Sequence, residues 1–353
     1  STVLSGLTIA NNDYFYLRWS GDDVAGSSSR DGFGLDNVSL TSFVTLSAPA
    51  GDPIYWDANG STAGIGGAGT WTAGASLFST TTEGTDPAAR AAADAVNFSG
   101  TAGTVTVSGT VEADAGLTFG VDGYTLAGGT VDLGGADAAT NSINVASDAS
   151  AEIGSVLSGA AGMTKAGFGT LTLSGANTYS GGTIVSGGAL VGSTSSLTGN
   201  ITNNAAVTFD QASDGTYAGV MDGSGSLTKS GAGNLTLSGA NTYSGGTTVS
   251  AGTLTGTTTS LQGGITNDTA VIFAQNTDGT YSGAMTGSGS LTKSGTGNVT
   301  LSGANTYSGG TTVSAGTLTG TTTNLQGAIT NNAAVTFDQA SDGTYAGVMD
   351  GSG

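Results

Sequence analysis

Four aspartates near the N-terminus, Asp22, Asp23, Asp31 and Asp36, form the densest carboxylate cluster in the chain. Carboxylates drawn from one loop and the strand after it supply hard oxygen donors, the ligands Ca2+ prefers. Their spacing fits neither an EF-hand loop nor a nonapeptide calcium repeat. The same residues also read as solvated turn carboxylates with Arg18 or Arg30 nearby. Ca2+ is the one cofactor these residues could hold, and nothing in the sequence requires one.

Three tyrosines form a second candidate. Tyr179, Tyr243 and Tyr307 recur in the segment ANTYSGG. Exposed on a stacked sheet three rungs apart, they would stand about 14 Å from one another and could stack on sugar rings. The competing reading is packing, with each ring covering a Gly-rich corner and its hydroxyl in water. Lys165, Lys229 and Lys293 recur at the same step and are half of the 6 basic residues. They read as surface partners of Asp222 and its equivalents, or as contacts between rods. Asp214, Asp278 and Asp342 each precede Gly in DGTY. That pair tolerates positive φ and makes a turn between strands, with ion binding as the alternative.

Catalytic chemistry has little to work with. The chain has no His and no Cys, which removes Ser-His-Asp triads, thiol nucleophiles, imidazole bases and the common zinc sites. Glu occurs only as Glu83, Glu112 and Glu152, outside the later repeats, so a paired-carboxylate glycosidase site is not supported. GSGSL recurs between strands rather than at a strand-to-helix elbow. The chain reads as a non-enzyme.

Charge narrows the partners. With 25 acidic and 6 basic residues the net charge is −19. Such a surface repels nucleic-acid phosphates and anionic lipid surfaces. No apolar run approaches the ~20 residues of a membrane helix, so no membrane insertion of this segment is expected. The absence of disulfides suits a large exported protein. The opening at Ser1 and the stop at Gly353 within a repeat suggest a piece of a longer protein.

The elements that would position these residues follow from repetition. Lys165, Lys229 and Lys293 are 64 residues apart, as are Phe209, Phe273 and Phe337, and Tyr217, Tyr281 and Tyr345. Segments 229–289 and 293–353 share 48 of 61 positions without a gap. Copies span 165–228, 229–292 and 293–353. Within a copy, apolar residues alternate with polar ones in short runs such as Leu235-Thr236-Leu237, Ala270–Phe273 and Leu291-Thr292-Lys293, bounded by Gly, Asn or Asp. Only the Ala-rich stretch Pro87 to Val96 suggests a short helix. Dividing 64 by a coil of about 21 residues gives three turns of a right-handed parallel β-helix. One coil cannot bury its own apolar face, so stability comes from stacking. The expected organisation is a β-rich segment 1–48, a connecting or capping region 49–95 containing Trp56 and Trp71, and a β-helix over 96–353.

The segment KSGAGNLTLSGANTYSGGTTVSAGTL (229–254) resembles the autotransporter-associated β-strand repeat of bacterial type V passenger domains. AVNFSGTAGTVTVSG (95–109), LTFGVDGYTLAGGTVDL (117–133) and KAGFGTLTLSGANTYSGGT (165–183) follow the order usual in such passengers. The resemblance covers roughly 55–353. It implies an extracellular or cell-surface solenoid, outer-membrane-anchored or released, carried out through a C-terminal barrel outside this sequence. Residues 14–40 resemble the closing strands of a secreted jelly-roll-like β-sandwich, with strands 14–19 and 33–40 paired across the Asp22–Asp31 loop.

Two functions follow. One is an adhesin-like shaft mediating attachment or aggregation, with surface glycans or proteins of host or neighbouring cells as partners. The other is a structural subunit of a surface filament or matrix, whose partners are copies of itself.

Overall fold

The computed structural model describes residues 53–60, 62–91 and 93–353. All of these lie in the second of two units into which the chain divides, Ser47–Gly353. The described residues contain short strands and no helix. The Ala-rich stretch is no exception. Pro87–Ala88 forms a strand paired antiparallel with Phe78–Ser79, and no described residue of the stretch is helical.

From Val96 onward nearly every pairing is parallel and joins one turn to the next, building a parallel β-solenoid of about 13 turns. At the strand spacing this is a shaft on the order of 60 Å long. It has three faces. Face one runs from Ile54–Trp56 to Met221–Asp222 and resumes from Gly279–Tyr281 to Ala334–Phe337. Face two runs from Gly69–Thr72 to Met285–Thr286. Face three runs from Thr110–Glu112 to Val156–Ser158 and resumes from Gly215–Tyr217 to Met349–Asp350.

The alternating pattern sets the orientation of each strand. In Ser226–Ser230 (SLTKS), Leu227 and Lys229 point inward and Thr228 outward. Stacking then builds inward columns. Leu171, Leu190, Val207, Leu227, Thr247, Ile265 and Met285 form one along face two. Leu171, Leu190 and Leu227 are completely buried, and burial of this kind is the main stabilising term.

The coil is shorter than the sequence suggested. Leu227 lies beside Thr247, Thr247 beside Ile265 and Ile265 beside Met285, steps of 20, 18 and 20 residues. Leu235, Leu254, Val271 and Leu291 on face three are 19, 17 and 20 apart. A turn therefore averages about 19 residues rather than 21. Sixty-four residues make three and a third turns, so each copy starts one face further round. Lys165 lies in a strand of face one, Lys229 of face two and Lys293 of face three. Three copies make ten turns and restore the starting face.

Over the first turns, aromatic side chains fill the core. Trp56 meets Phe78 edge-on at 5.5 Å and Trp71 meets Phe78 at 5.9 Å. Phe98 stacks on Phe119 at 4.9 Å, and Arg90 lies over the Trp71 ring at 5.8 Å. The open edge of Ile54–Trp56 is covered by Phe78–Ser79, paired antiparallel to it, so that this edge is not free to recruit another strand.

Candidate interaction surface

The recurrent tyrosines are not an exposed row. Tyr179, Tyr243 and Tyr307 are 1–2% exposed. Each hydroxyl bonds a threonine four residues on: Tyr179 with Thr183 at 2.9 Å, Tyr243 with Thr247 and Tyr307 with Thr311 at 2.6 Å. Burial raises the pKa of all three phenols. Position explains this: the ring fills a corner between two faces, where the chain turns without a strand to cover the core. Their rings are not available to stack on sugars in this arrangement.

The lysines are also interior. Lys165, Lys229 and Lys293 have no exposed surface. Lys229 sits in an inward column between Phe209 and Val249. Its Nζ donates to the carbonyls of Ser230, Gly231 and Ala251 at 2.6, 2.7 and 3.0 Å. Lys165 and Lys293 repeat this cage. Three ammonium donors thus meet three carbonyls, two at the lysine's own corner and one on the next turn. The expected pairing with Asp222 is replaced by this geometry, because an inward residue of SLTKS can reach only corner carbonyls. Burial lowers the Lys165 pKa to about 8 and lowers those of Lys229 and Lys293.

Asp214 and Asp278 do not make hairpin turns. Gly215 and Gly279 begin parallel strands. The carboxylates instead accept the backbone N–H of the next turn, Asn234 and Asn298, both at 2.8 Å. Gly is required for another reason: a Cβ on Gly215 would collide with Thr194 and Gln211. Asp342 is exposed near the last turn. Asp22, Asp23, Asp31 and Asp36 lie outside the described residues, as do the strands expected at 14–19 and 33–40.

One constellation escaped the sequence reading. Each copy has two successive turns on which one face carries no strand, and there a buried asparagine replaces the backbone ladder. Asn241 accepts the N–H of Met221 at 2.8 Å and donates to the Ser260 carbonyl at 2.8 Å. Asn177 and Asn305 do the same on the other two faces. The signal was the Asn of ANTY, recurring at the repeat step beside the Tyr.

What faces outward is hydroxyl-rich. On face two, Thr172, Val191, Thr208, Thr228, Thr248, Thr266 and Thr286 form one row, each beside the next. On face three the row is Thr216, Thr236, Thr255, Ile272, Thr292, Thr312 and Thr330. Beside the face-two row, Gly245, Gly246 and Gly264 floor a groove of about 440 Å3 edged by Thr248 and Thr266. Such a surface can exchange many neutral hydrogen bonds with a partner and offers no reacting group. Among the described residues, no helix is long and apolar enough to cross a membrane.

Comparison with known proteins picks out the repeated segments. The Passenger-associated-transport-repeat family matches residues 163–191, 227–255 and 291–323. Three segments of the chain thus match this repeat, and the lysines, asparagines and buried tyrosines described above all lie within them. A curated relative, the Adhesin BmaC autotransporter of Brucella suis biovar 1 (strain 1330), is 41% identical over 146 residues. That match covers 40% of this chain and 4% of the relative, so the chain spans a small fraction of that protein's length. No solved structure matches the chain.

Proposed function

We propose that this chain is part of the shaft of an adhesin-like autotransporter passenger, at the cell surface or released from it, acting in attachment or aggregation without catalysis. The observation that carries the reading is the coincidence of three passenger-type repeats with one unbroken parallel solenoid. The named similarity to an adhesin autotransporter supports it. The partners this surface fits are glycans or proteins that accept and donate neutral hydrogen bonds, engaged along the threonine rows. Because each copy turns the pattern by a third of a turn, the repeats offer related contacts on all three faces.

A filament of copies is the second reading. The net charge of −19 weighs against it, since adjacent shafts would meet with like charge. The test is binding of the purified chain to immobilised cell-surface glycans and to whole cells, beside sedimentation at physiological and high salt. Saturable binding by a monomer supports the adhesin shaft. A chain that binds neither cells nor glycans, and that sediments as polymer at physiological salt, would replace it with the filament.

A further inference from the structure

Two loops meet beside the first strand of the solenoid, Ile54–Trp56: residues 57–60 and 62–67 on one side, and residues 79–86 on the other. Asp57 follows Trp56 directly and has no exposed surface. Its N–H donates to the Leu77 carbonyl at 3.0 Å, and its Oδ1 accepts the N–H of Asn59 at 3.2 Å. Its Oδ2 is buried and meets no donor. A buried carboxylate oxygen without a partner is costly unless a charge or a metal compensates it.

The second loop brings another carboxylate. Asp86 accepts the hydroxyls of Ser79 at 2.6 Å, Thr81 at 2.9 Å and Thr80. Its negative charge is felt at Asp57, where it adds to the effect of burial in raising that pKa. Gly84, two residues before Asp86, has φ +68°, and a Cβ there would come within 3.2 Å of Asp57 Oδ2 and onto the Gly64 carbonyl. Gly64 joins the loops, donating its N–H to the Glu83 carbonyl at 2.7 Å and accepting from Asn59 Nδ2 at 2.8 Å. Arg90 is engaged elsewhere, against Trp71 and in the fields of Asp114, Asp94 and Glu112.

We propose that Asp57 and Asp86, with the Gly64 carbonyl and the hydroxyls around Ser79, hold a Ca2+ ion that ties the two loops across the start of the shaft. The donors are all oxygen, and the irregular loops suit the flexible coordination of Ca2+ better than the strict octahedron of Mg2+. Among the described residues, Asp57 Oδ2 is the one buried carboxylate oxygen without a hydrogen-bond partner. The ion would compensate both carboxylates and fix the cap.

The test uses the whole chain and Tb3+, a luminescent stand-in for Ca2+. Trp56 precedes Asp57, so excitation of tryptophan should give Tb3+ emission that added Ca2+ displaces. D57N and D86N should each weaken that emission tenfold or more. Ca2+ should raise the wild-type melting temperature, and a chelator should reverse the rise. D57N removes the uncompensated charge, so it should fold with an unchanged β-sheet spectrum yet show no Ca2+-dependent shift. Emission that survives unchanged in both variants, or a melting temperature indifferent to Ca2+, overturns the proposal. In the first case a site such as Asp22, Asp23, Asp31 and Asp36 would carry the ion instead.

Discussion

Lys229 and Lys293 occupy the same place in successive copies, yet one lies on face two and the other on face three. Their neighbours are nevertheless equivalent: Phe209 and Val249 flank the first, Phe273 and Val313 the second. A copy thus reproduces its internal contacts while rotating its surface by a third of a turn and rising about 16 Å. Equivalence of contact without equivalence of face lets the shaft lengthen by whole copies and present the same residues in several directions.

The register itself can be trapped covalently, since the chain contains no cysteine. Thr228 and Thr248 are outward neighbours on face two. Neighbouring Cα atoms on paired strands fall within the span of a disulfide. T228C/T248C should therefore crosslink under mild oxidation, seen as a faster-migrating species on non-reducing gels. T228C/V249C, the pairing of a 21-residue coil, should not, because residue 249 points to the core. Efficient crosslinking of the second pair alone would refute the 20-residue step.

Removing a lysine ammonium leaves three carbonyls without their donor. K229M keeps the apolar stem in its column but orphans Ser230, Gly231 and Ala251. An unmet buried polar group costs about 1–3 kcal/mol, and partial access of water to the corner places the expected loss near the middle of that range. Solenoids open locally, so hydrogen exchange is the better measure than a global midpoint. Protection should fall around 229–251 and remain unchanged in the copy near Lys293. Uniform protection in K229M would show that the cage contributes nothing.

Period-two alternation and the 64-residue repeat were legible because inward and outward positions differ in residue type throughout copies such as 229–292. The coil length was not. It is set by corners that vary by two or three residues, and 64 divides by three as plausibly as by three and a third. Lys229 and Tyr243 misled for a different reason. Lys is ordinarily exposed, and only three-dimensional corner carbonyls make its burial tolerable. Tyr243 owes its burial to a gap in the strand ladder that no short window of sequence contains. Asp57 carried no local signal at all, since its burial comes from Leu77 and Gly66, distant in sequence.

The interior lysines and tyrosines give stability opposite dependences on pH. Burial lowers the Lys165 pKa to about 8 in the folded chain, from the ordinary 10.5 of an exposed lysine. Between those values the unfolded chain holds the extra proton, so stability rises with pH and the gain is complete above the unfolded value. Burial lowers Lys229 and Lys293 in the same sense. Tyr124 is raised by burial to about 12, and Tyr217 and Tyr281 are raised too, above the ordinary 10.0. For them stability is fully present below pH 10 and is lost above it. Melting temperature should therefore climb from pH 8, peak at roughly 9–10 and fall beyond. A triple K165M/K229M/K293M variant should lose the climb and keep the fall. A wild-type profile that declines steadily from pH 8 would contradict the buried-lysine assignment.

Asn241 is the most exacting position, because its side chain does the work of a missing strand. It accepts from Met221 on the turn below and donates to Ser260 on the turn above, so one amide joins three turns of face one. N241A would leave a buried N–H and a buried carbonyl unmet, at about 1–3 kcal/mol each. N241D keeps the acceptor but loses the donor and introduces a charge, and should cost at least as much. N241Q retains both groups on a longer stem that must displace neighbours, and should recover little. The expected order of urea midpoints is wild type first, then Q, then A and D. Local exchange at Met221 N–H, which Asn241 alone accepts, should rise in A and persist in D. If N241A matched the wild type in both measurements, the asparagine bridges would be incidental and the gaps in the faces would have to be closed by the flanking strands alone.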